Sequence, residues 1–174
     1  MKRVEQFLTA IMAKISTEDM DFIARHLNVK EALLFWKMSL PDQRHALNVT
    51  YTAVAIATGR SDIDKSALFK AALLHDVGRA RGDLSIIDKV ITVFLDKYNS
   101  DKARDWSRFG RGGKLDNIRH ALFIYYNHPA IGAALLKECG ACDKVINLVQ
   151  SHHLDEVPGD PLELIILRQA DSLN

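Results

Sequence analysis

SALFKAALLHDVG, residues 66–78, is apolar on nearly every side of a helical projection and then ends in an imidazole, a carboxylate and a glycine. A helix that is apolar all round belongs in the middle of a helical protein, covered by its neighbours. Gly78 is a natural end to it. His75 and Asp76 are expensive to bury at that position unless they are paired or bound to a metal. This stretch alone leaves both readings open.

The flanking sequence is helical as well. PDQRHALNVTYTAVAIAT, from Pro41, starts with a residue whose missing N–H costs nothing in a first turn and stops at Gly59. Further upstream, Val4, Phe7, Leu8, Ile11, Met12 and Ile15 recur at spacings of three and four, which predicts an amphipathic helix. Ser16-Thr17 reads as a break and N-cap, with Glu18 and Asp19 in the first turn of a second helix through Phe22, Ile23 and Leu27. A short third helix covers Lys30–Met38.

Downstream, Leu84, Ile87, Val90, Ile91, Phe94 and Leu95 mark an amphipathic helix over Asp83–Lys97. Residues 99–115, NSDKARDWSRFGRGGKL, are polar, basic and Gly-rich and read as a mobile loop. Helicity returns over Asp116–Tyr126. Asn127-His128-Pro129 then reads as a cap before a further helix ending at Gly140. A helix over Asp143–His152 and a turn at residues 157–161, with Asp160 as N-cap, precede the last helix, LELIILRQADSLN. No repeat or strand pattern occurs. The expectation is an all-α fold, a compact bundle of eight to ten helices forming one domain over residues 1–174. Within it, residues 1–40 are a helical extension and 41–174 the core.

Composition narrows the partners. Among 174 residues, 23 Lys and Arg balance 22 Asp and Glu, so no global field points to nucleic acid or an anionic membrane, and neither is expected as a partner. The start of the chain lacks the layout of a signal peptide, and no apolar run is long enough to span a membrane. Cys139 and Cys142 form a C-x-x-C pair without a second pair or a βαβ setting, and read as ordinary thiols. A cytoplasmic, reducing setting is expected.

The chemistry lies in the histidines and their neighbours. His45 sits on one apolar helix, His75 and Asp76 end a second, and Asp171 lies on a third. Imidazole with carboxylate suits Mn, Fe, Co, Ni or Zn, not the all-oxygen preference of Ca. No nucleophile elbow, P-loop or dinucleotide fingerprint is present. His26 and His120 read as surface or packing residues.

The order His45, then His75-Asp76, then Asp171, in the contexts RHALNVTYTAVAIA, ALFKAALLHDVG and LIILRQADSLN, resembles the H…HD…D signature of the HD superfamily over residues 41–174. That resemblance implies a helical phosphohydrolase that uses one or two divalent transition metals. His128 in NHPAIGAALLKECG and His152-His153 in INLVQSHH are similar to the two-metal branch, which includes HDIG phosphodiesterases and dinucleoside-tetraphosphate hydrolases. The resemblance implies that His45, His75, Asp76 and Asp171 hold one metal. It makes Asp76 the bridge to a second, completed by His128 and His152, with His153 as a further candidate. Asp76 would orient the attacking water.

The sequence departs from relatives carrying HDIGK and a Gly-Tyr-Pro triplet, since it reads His75-Asp76-Val77-Gly78-Arg79 and lacks the triplet. Arg79 is either a catalytic phosphate contact in place of that Lys or a cation at a helix end. Pro41 stands where three-metal members carry Glu. Arg44 is a candidate phosphate contact or an ion-pair partner. Arg104, Arg108, Arg111 and Lys114, with Trp106 and Phe109, make the loop either a polyphosphate-binding lid or a solvated segment. The expected function is metal-dependent hydrolysis of a small-molecule, nucleotide-like phosphate mono- or diester. The alternatives are a non-catalytic metal- and nucleotide-binding signalling module and a di-iron oxidative enzyme.

Overall fold

A computed structural model describes residues 14–80, 82 and 86–174; the side chains of residues 86, 87 and 89 are not described. Of the helix expected over Val4–Ile15, residues 4–13 lie outside the described residues, as does Leu84, while Ile15 is described and lies outside any helix. Within them the chain is all-α: α1 (Thr17–His26), α2 (Val29–Lys37), α3 (Leu40–Ala57), α4 (Lys65–Leu74), α5 (Ile86–Trp106), α6 (Lys114–Glu138), α7 (Asp143–Ser151) and α8 (Leu162–Leu173). Among the described residues an antiparallel bridge pairs Met38 with Ala80.

Local chemistry sets the helix starts. Ser16 and Asn28 open α1 and α2 with reciprocal capping boxes to Asp19 and Glu31. Ser39 caps α3, with Pro41 in its first turn, and the Asp64 carboxylate accepts from the Ala67 N–H at the start of α4. α8 departs from expectation: Pro161 occupies its N-cap, while Asp160 accepts from the Val157 N–H and pairs with Arg168.

As the sequence predicts, α4 is the central helix. Leu68, Ala71, Ala72, Leu73 and Leu74 are fully buried. α4 packs against α3, α7 and α8 and touches α1 and α2, while α6 lies on α7 and carries α5 on its other side. The chain leaving α4 meets α6 at very close range. A Cβ built on Gly78 would lie 2.1 Å from the His128 carbonyl oxygen. Only a glycine allows the backbones this approach, and the approach brings Asp76 to His128.

Two sequence expectations need correction here. α6 does not restart at Asn127 but runs unbroken through Pro129. Pro129 removes the N–H that would bond the Tyr125 carbonyl four residues earlier. His128 Nδ1 lies 2.8 Å from that carbonyl and supplies the missing donor. Likewise, residues 99–115 are not one loop. α5 breaks only at Asn99 (φ −161°, ψ 91°), whose side chain caps the next turn by accepting from the Lys102 N–H, and then continues to Trp106. The irregular segment is residues 107–113. It is tied to α6 by Arg108 N–H on the Arg119 carbonyl, Gly110 N–H on His120 Nδ1, and Phe109 packed on His120 and Phe123.

Candidate metal centre

Five helices bring the predicted residues together. His75 is the C-cap of α4, with Asp76 next in the turn; His152 is the C-cap of α7, followed by His153; His128 lies within α6. His45, on α3, faces Asp171, on α8, with Nε2 3.0 Å from Oδ1. His75 Nε2 lies 3.6 Å from Asp76 Oδ2 and 3.7 Å from Asp171 Oδ1. His128 Nε2 lies 3.3 Å from Asp76 Oδ1. The rings of His152 and His75 are 5.1 Å apart, and those of His152 and His128 5.4 Å apart.

Hydrogen bonds fix which nitrogen of each ring faces inward. His75 Nδ1 lies 2.9 Å from the Ala72 carbonyl, His128 Nδ1 2.8 Å from that of Tyr125, and His152 Nδ1 2.6 Å from that of Val149. A carbonyl only accepts, so each Nδ1 carries the proton and each Nε2 presents a lone pair. Burial and the nearby Arg79 guanidinium push His128 down to about 4, and burial with neighbouring imidazoles holds His152 far below its ordinary value. Both rings are therefore neutral near pH 7. Burial would raise Asp76, but the Arg79 guanidinium leads the causes that outweigh it and hold the carboxylate well below its ordinary value. Burial also opposes protonation of His45, yet the bond to Asp171 and the charge of Asp76 prevail and raise it.

The donor set fits a divalent transition metal. His75 Nε2, His152 Nε2 and Asp76 Oδ1 are buried with no hydrogen-bond partner, which is costly for polar atoms in a protein interior. Asp76 Oδ1 and His128 Nε2 face each other with lone pairs, an arrangement that calls for a cation. Ligand atoms about 2.1 Å from one ion lie at most about 4.2 Å apart, so the separations of 3.0–3.7 Å are compatible with shared coordination. Three overlapping groups have their ligand atoms within 4.8 Å of one another: His45, His75 and Asp76; His75, His152 and Asp171; His128, His152 and His153.

The candidate phosphate contacts are placed elsewhere. Arg44 takes the ion-pair alternative, with Nη1 2.7 Å from Asp19 Oδ2, while the Tyr51 hydroxyl donates to the other Asp19 oxygen at 2.6 Å. Arg108 and Arg111 line a surface cavity of about 240 Å³ with Phe109, Asp116 and Arg119, and Arg111 also donates to the Gly82 carbonyl. Lys114 is the first residue of α6. Beside the His cluster lies a different cleft of about 450 Å³, lined by Asp96, Arg104, Tyr125, Tyr126 and His153 among others. Both tyrosine hydroxyls donate to Asp96, and the Arg104 guanidinium stacks 4.9 Å over the Tyr126 ring. Sequence reasoning names Arg104 among the basic residues of its loop but misses Asp96, Tyr125 and Tyr126. Arg104 and Asp96 are two turns apart across the Asn99 break, and only the pairing of α5 with α6 brings them to Tyr125-Tyr126.

The HD domain family model matches residues 43–174. This chain belongs to the HD domain family, the superfamily of metal-dependent phosphohydrolases. Part of it is 38% identical over 78 residues to Ribonuclease Y of Fervidobacterium nodosum, covering 44% of this chain and 14% of that protein. It is 37% identical over 78 residues to Ribonuclease Y of Thermotoga petrophila, with the same coverage. It is also 39% identical over 66 residues to Ribonuclease Y of Thermosipho melanesiensis, covering 37% of this chain and 13% of that protein. The matched region thus spans about a seventh of those relatives. No solved structure matches.

These relatives overturn one expectation. The near balance of charge was read as excluding a nucleic-acid partner, yet proteins sharing over a third of the aligned residues are named as ribonucleases. Overall charge was the wrong measure, because an HD-type centre engages a phosphate locally. No described helix is long and apolar enough to cross a membrane.

Proposed function

We propose that this HD-domain chain hydrolyses phosphodiesters of ribonucleotide chains with a divalent transition metal held by His45, His75, Asp76 and Asp171. The observation that carries the reading is the set of buried imidazoles, His75, His128 and His152, whose Nδ1 is pinned to a backbone carbonyl, with Nε2 of His75 and His128 facing Asp76 or Asp171. Bound there, the metal would supply Lewis acidity to a phosphoryl oxygen and acidify a water.

The chain's own groups do the rest. Asp76 stays ionised and offers two oxygens on opposite sides, one towards His75 and one towards His128. His152 and His128 stay neutral and present lone pairs. His153, at the edge of the cluster with its ring 5.0 Å from that of His128, also lines the 450 Å³ cleft. A phosphate at the cluster would therefore have its attached nucleoside in that cleft, against the tyrosines and the Arg104 guanidinium, which can also pair with a neighbouring phosphate. The names of the relatives favour RNA as the substrate.

The test is release of nucleotides from a short single-stranded RNA, with Mn²⁺, Co²⁺, Fe²⁺ or Zn²⁺ added in turn. We expect metal-dependent release that falls at least ~100-fold in Asp76→Asn, given the scale of losing a group that shapes a charged transition state. Equal activity in wild type and Asp76→Asn, or none with any metal, would refute the reading.

A further inference from the structure

Basic charge gathers where α5 ends and α6 begins. Residues 104–119 carry Arg104, Arg108, Arg111, Lys114 and Arg119 against Asp105 and Asp116, in a chain whose total charge nearly balances. Arg108, Arg111 and Arg119 line the 240 Å³ surface cavity with Phe109, Gly110 and Asp116. Arg119 Nε donates to the Trp106 carbonyl at 3.1 Å, and Arg111 donates to the Gly82 carbonyl. Such bonds hold a guanidinium in place and leave its charge uncancelled. Asp116, the carboxylate of the lining, accepts from the Gly113 N–H at 3.0 Å and so serves the start of α6. Three guanidinium groups around one cavity suit a phosphate.

This cavity is in line with the cleft beside the His cluster. Arg119, Phe123, Tyr126 and Ala130 recur at spacings of four, three and four along α6 and share one face of it. Arg119 lines the cavity, Tyr126 and Ala130 line the 450 Å³ cleft, and Phe123 lies between, with the Phe109 ring 5.5 Å from its own. The end of α5 follows the same face: Arg104 stacks over Tyr126, and the Arg119 guanidinium lies 5.9 Å from the Trp106 ring. Phe109 is 68% exposed and Trp106 39%, so aromatic surface alternates with cations from the cleft to the cavity. Grooves for single-stranded nucleic acid have this pattern, with cations along the backbone and rings that stack on bases. Arg119 and Tyr126 are two turns apart, about 10 Å along the axis. A stacked strand advances about 3.4 Å per nucleotide, so the cavity meets a phosphate roughly three nucleotides beyond the cleft.

We propose that the seam between α5 and α6 is a track for single-stranded RNA, running from the cleft at Arg104 and Tyr126 to a phosphate site formed by Arg108, Arg111 and Arg119. The inference rests on the ribonucleotide-chain reading above and adds where the rest of the strand lies. A duplex is a poor occupant, because its paired bases cannot stack on Phe109 and Trp106. A mono- or dinucleotide ends before the cavity, so the track favours length: a strand of roughly five nucleotides or more reaches both ends.

The experiment reads binding, not turnover. Fluorescence anisotropy of end-labelled single-stranded RNAs of two, four and eight nucleotides is measured with the full chain in EDTA, and far-ultraviolet circular dichroism checks folding. Wild-type affinity should rise at least about tenfold between two and eight nucleotides, roughly 1.4 kcal/mol. Arg108→Gln/Arg111→Gln should lose that gain. On the eight-nucleotide strand its slope of log affinity against log salt should fall by about 1.4, the effect of two lost phosphate contacts at about 0.7 each. Lys30→Gln/Lys37→Gln removes the same charge from exposed positions of α2, which packs on α4, and should bind within about twofold of wild type. An equal loss in both double variants would leave only overall charge at work and would overturn the proposal. Unchanged affinity in folded Arg108→Gln/Arg111→Gln would overturn it too, as would an eight-nucleotide strand held no tighter than a dinucleotide, or a duplex bound as well as a single strand. Length-dependent binding that needs Arg108 and Arg111, in a chain that hydrolyses no RNA with any metal, would keep the track and refute the hydrolytic reading. Hydrolysis with binding indifferent to both arginines would do the reverse.

Discussion

Replacing Gly78 with alanine should separate the two halves of the centre. The new Cβ would lie 2.1 Å from the His128 oxygen, 2.9 Å from the His128 carbonyl carbon and 2.9 Å from the Gly132 nitrogen, all backbone atoms of α6. Carbon and oxygen do not approach within about 3 Å, so the chain after α4 and α6 must move apart by roughly 1 Å. A side chain could turn aside, but a helix backbone in a packed core yields only as a unit. Overpacking costs about 1–3 kcal/mol where side chains adjust, and this contact belongs at or above the top of that range. For a chain of this length ~3 kcal/mol lowers Tm by ~6–12 °C. The same movement stretches the 3.3 Å contact between Asp76 and His128, so affinity for metal should fall even at temperatures where the protein stays folded. Gly132→Ala is the internal comparison, because its Cβ would meet the Val149 side chain at 3.3 Å, a methyl group that can shift. Thermal melts by circular dichroism and equilibrium dialysis against Co²⁺ read both effects. A Gly78→Ala protein that melts within a degree of wild type and holds metal equally would refute the idea that this glycine sets the distance between Asp76 and His128.

Pro129→Ala should have opposite effects on stability and metal binding. It returns an N–H to the Tyr125 carbonyl, which steadies α6, but competes with His128 Nδ1 for that acceptor, so metal affinity should drop by ~10-fold or more while Tm holds or rises; a parallel fall in both would refute it. Leu73→Ala, at a fully buried position of α4, should cost ~2–5 kcal/mol in urea unfolding, and a loss under 1 kcal/mol would contradict the central place of that helix. Acid should expose the Asp19–Arg44–Tyr51 group. Burial would raise Asp19, but its bonds to Arg44, Tyr51 and the Ser16 N–H prevail and hold it at about 2. A depressed carboxylate contributes stability above its unfolded value near 4 and loses it as pH falls towards 2, so between those limits wild type should lose about 2 kcal/mol more than Asp19→Asn. Urea midpoints for the two proteins that fall in parallel with pH would show that the pair contributes nothing.

The sequence carried α4 and its burial because SALFKAALL is apolar on nearly all sides, and it carried the start of α1 because a Ser cap acts over three residues, whereas the Asn28 and Ser39 caps of α2 and α3 went unread. It failed where a distant contact replaced a local rule. Pro129 reads as a helix boundary until the preceding histidine is seen to donate to the freed carbonyl. Asn99 and the glycines after it read as loop because the burial of Ala103 and the stacking of Arg104 on Tyr126 depend on α6 lying alongside. Arg44 and Arg79 offer a similar difficulty: Arg44 is open between phosphate and an ion pair, Arg79 between phosphate and a cation at a helix end. The difference lies in Asp19 for Arg44 and in His128 for Arg79, which no local spacing along the chain brings to them.

The three pinned imidazoles have a common origin. Ala72 and Val149 lie in the last turns of α4 and α7, where carbonyls have no partner within the helix. His75 and His152 follow as C-caps, and each gives its Nδ1 proton to one of those carbonyls. Tyr125 has its carbonyl freed by Pro129 instead of by a helix end, and His128 takes it in the same way. In each case the bond that completes a helix also fixes the tautomer of a candidate ligand and turns Nε2 inward. The ligand geometry is therefore built from backbone acceptors that any side chain of the right length would leave in place. Substituting one imidazole should disturb metal binding far more than the helix that carries it. His45 differs, since its Nε2 faces Asp171, another candidate ligand, and its orientation depends on α3 and α8 staying together. Loosening α8 against α3, by truncating buried Leu167 to alanine, should therefore weaken binding through His45 and Asp171 while leaving the Nδ1 bonds of the other three rings intact.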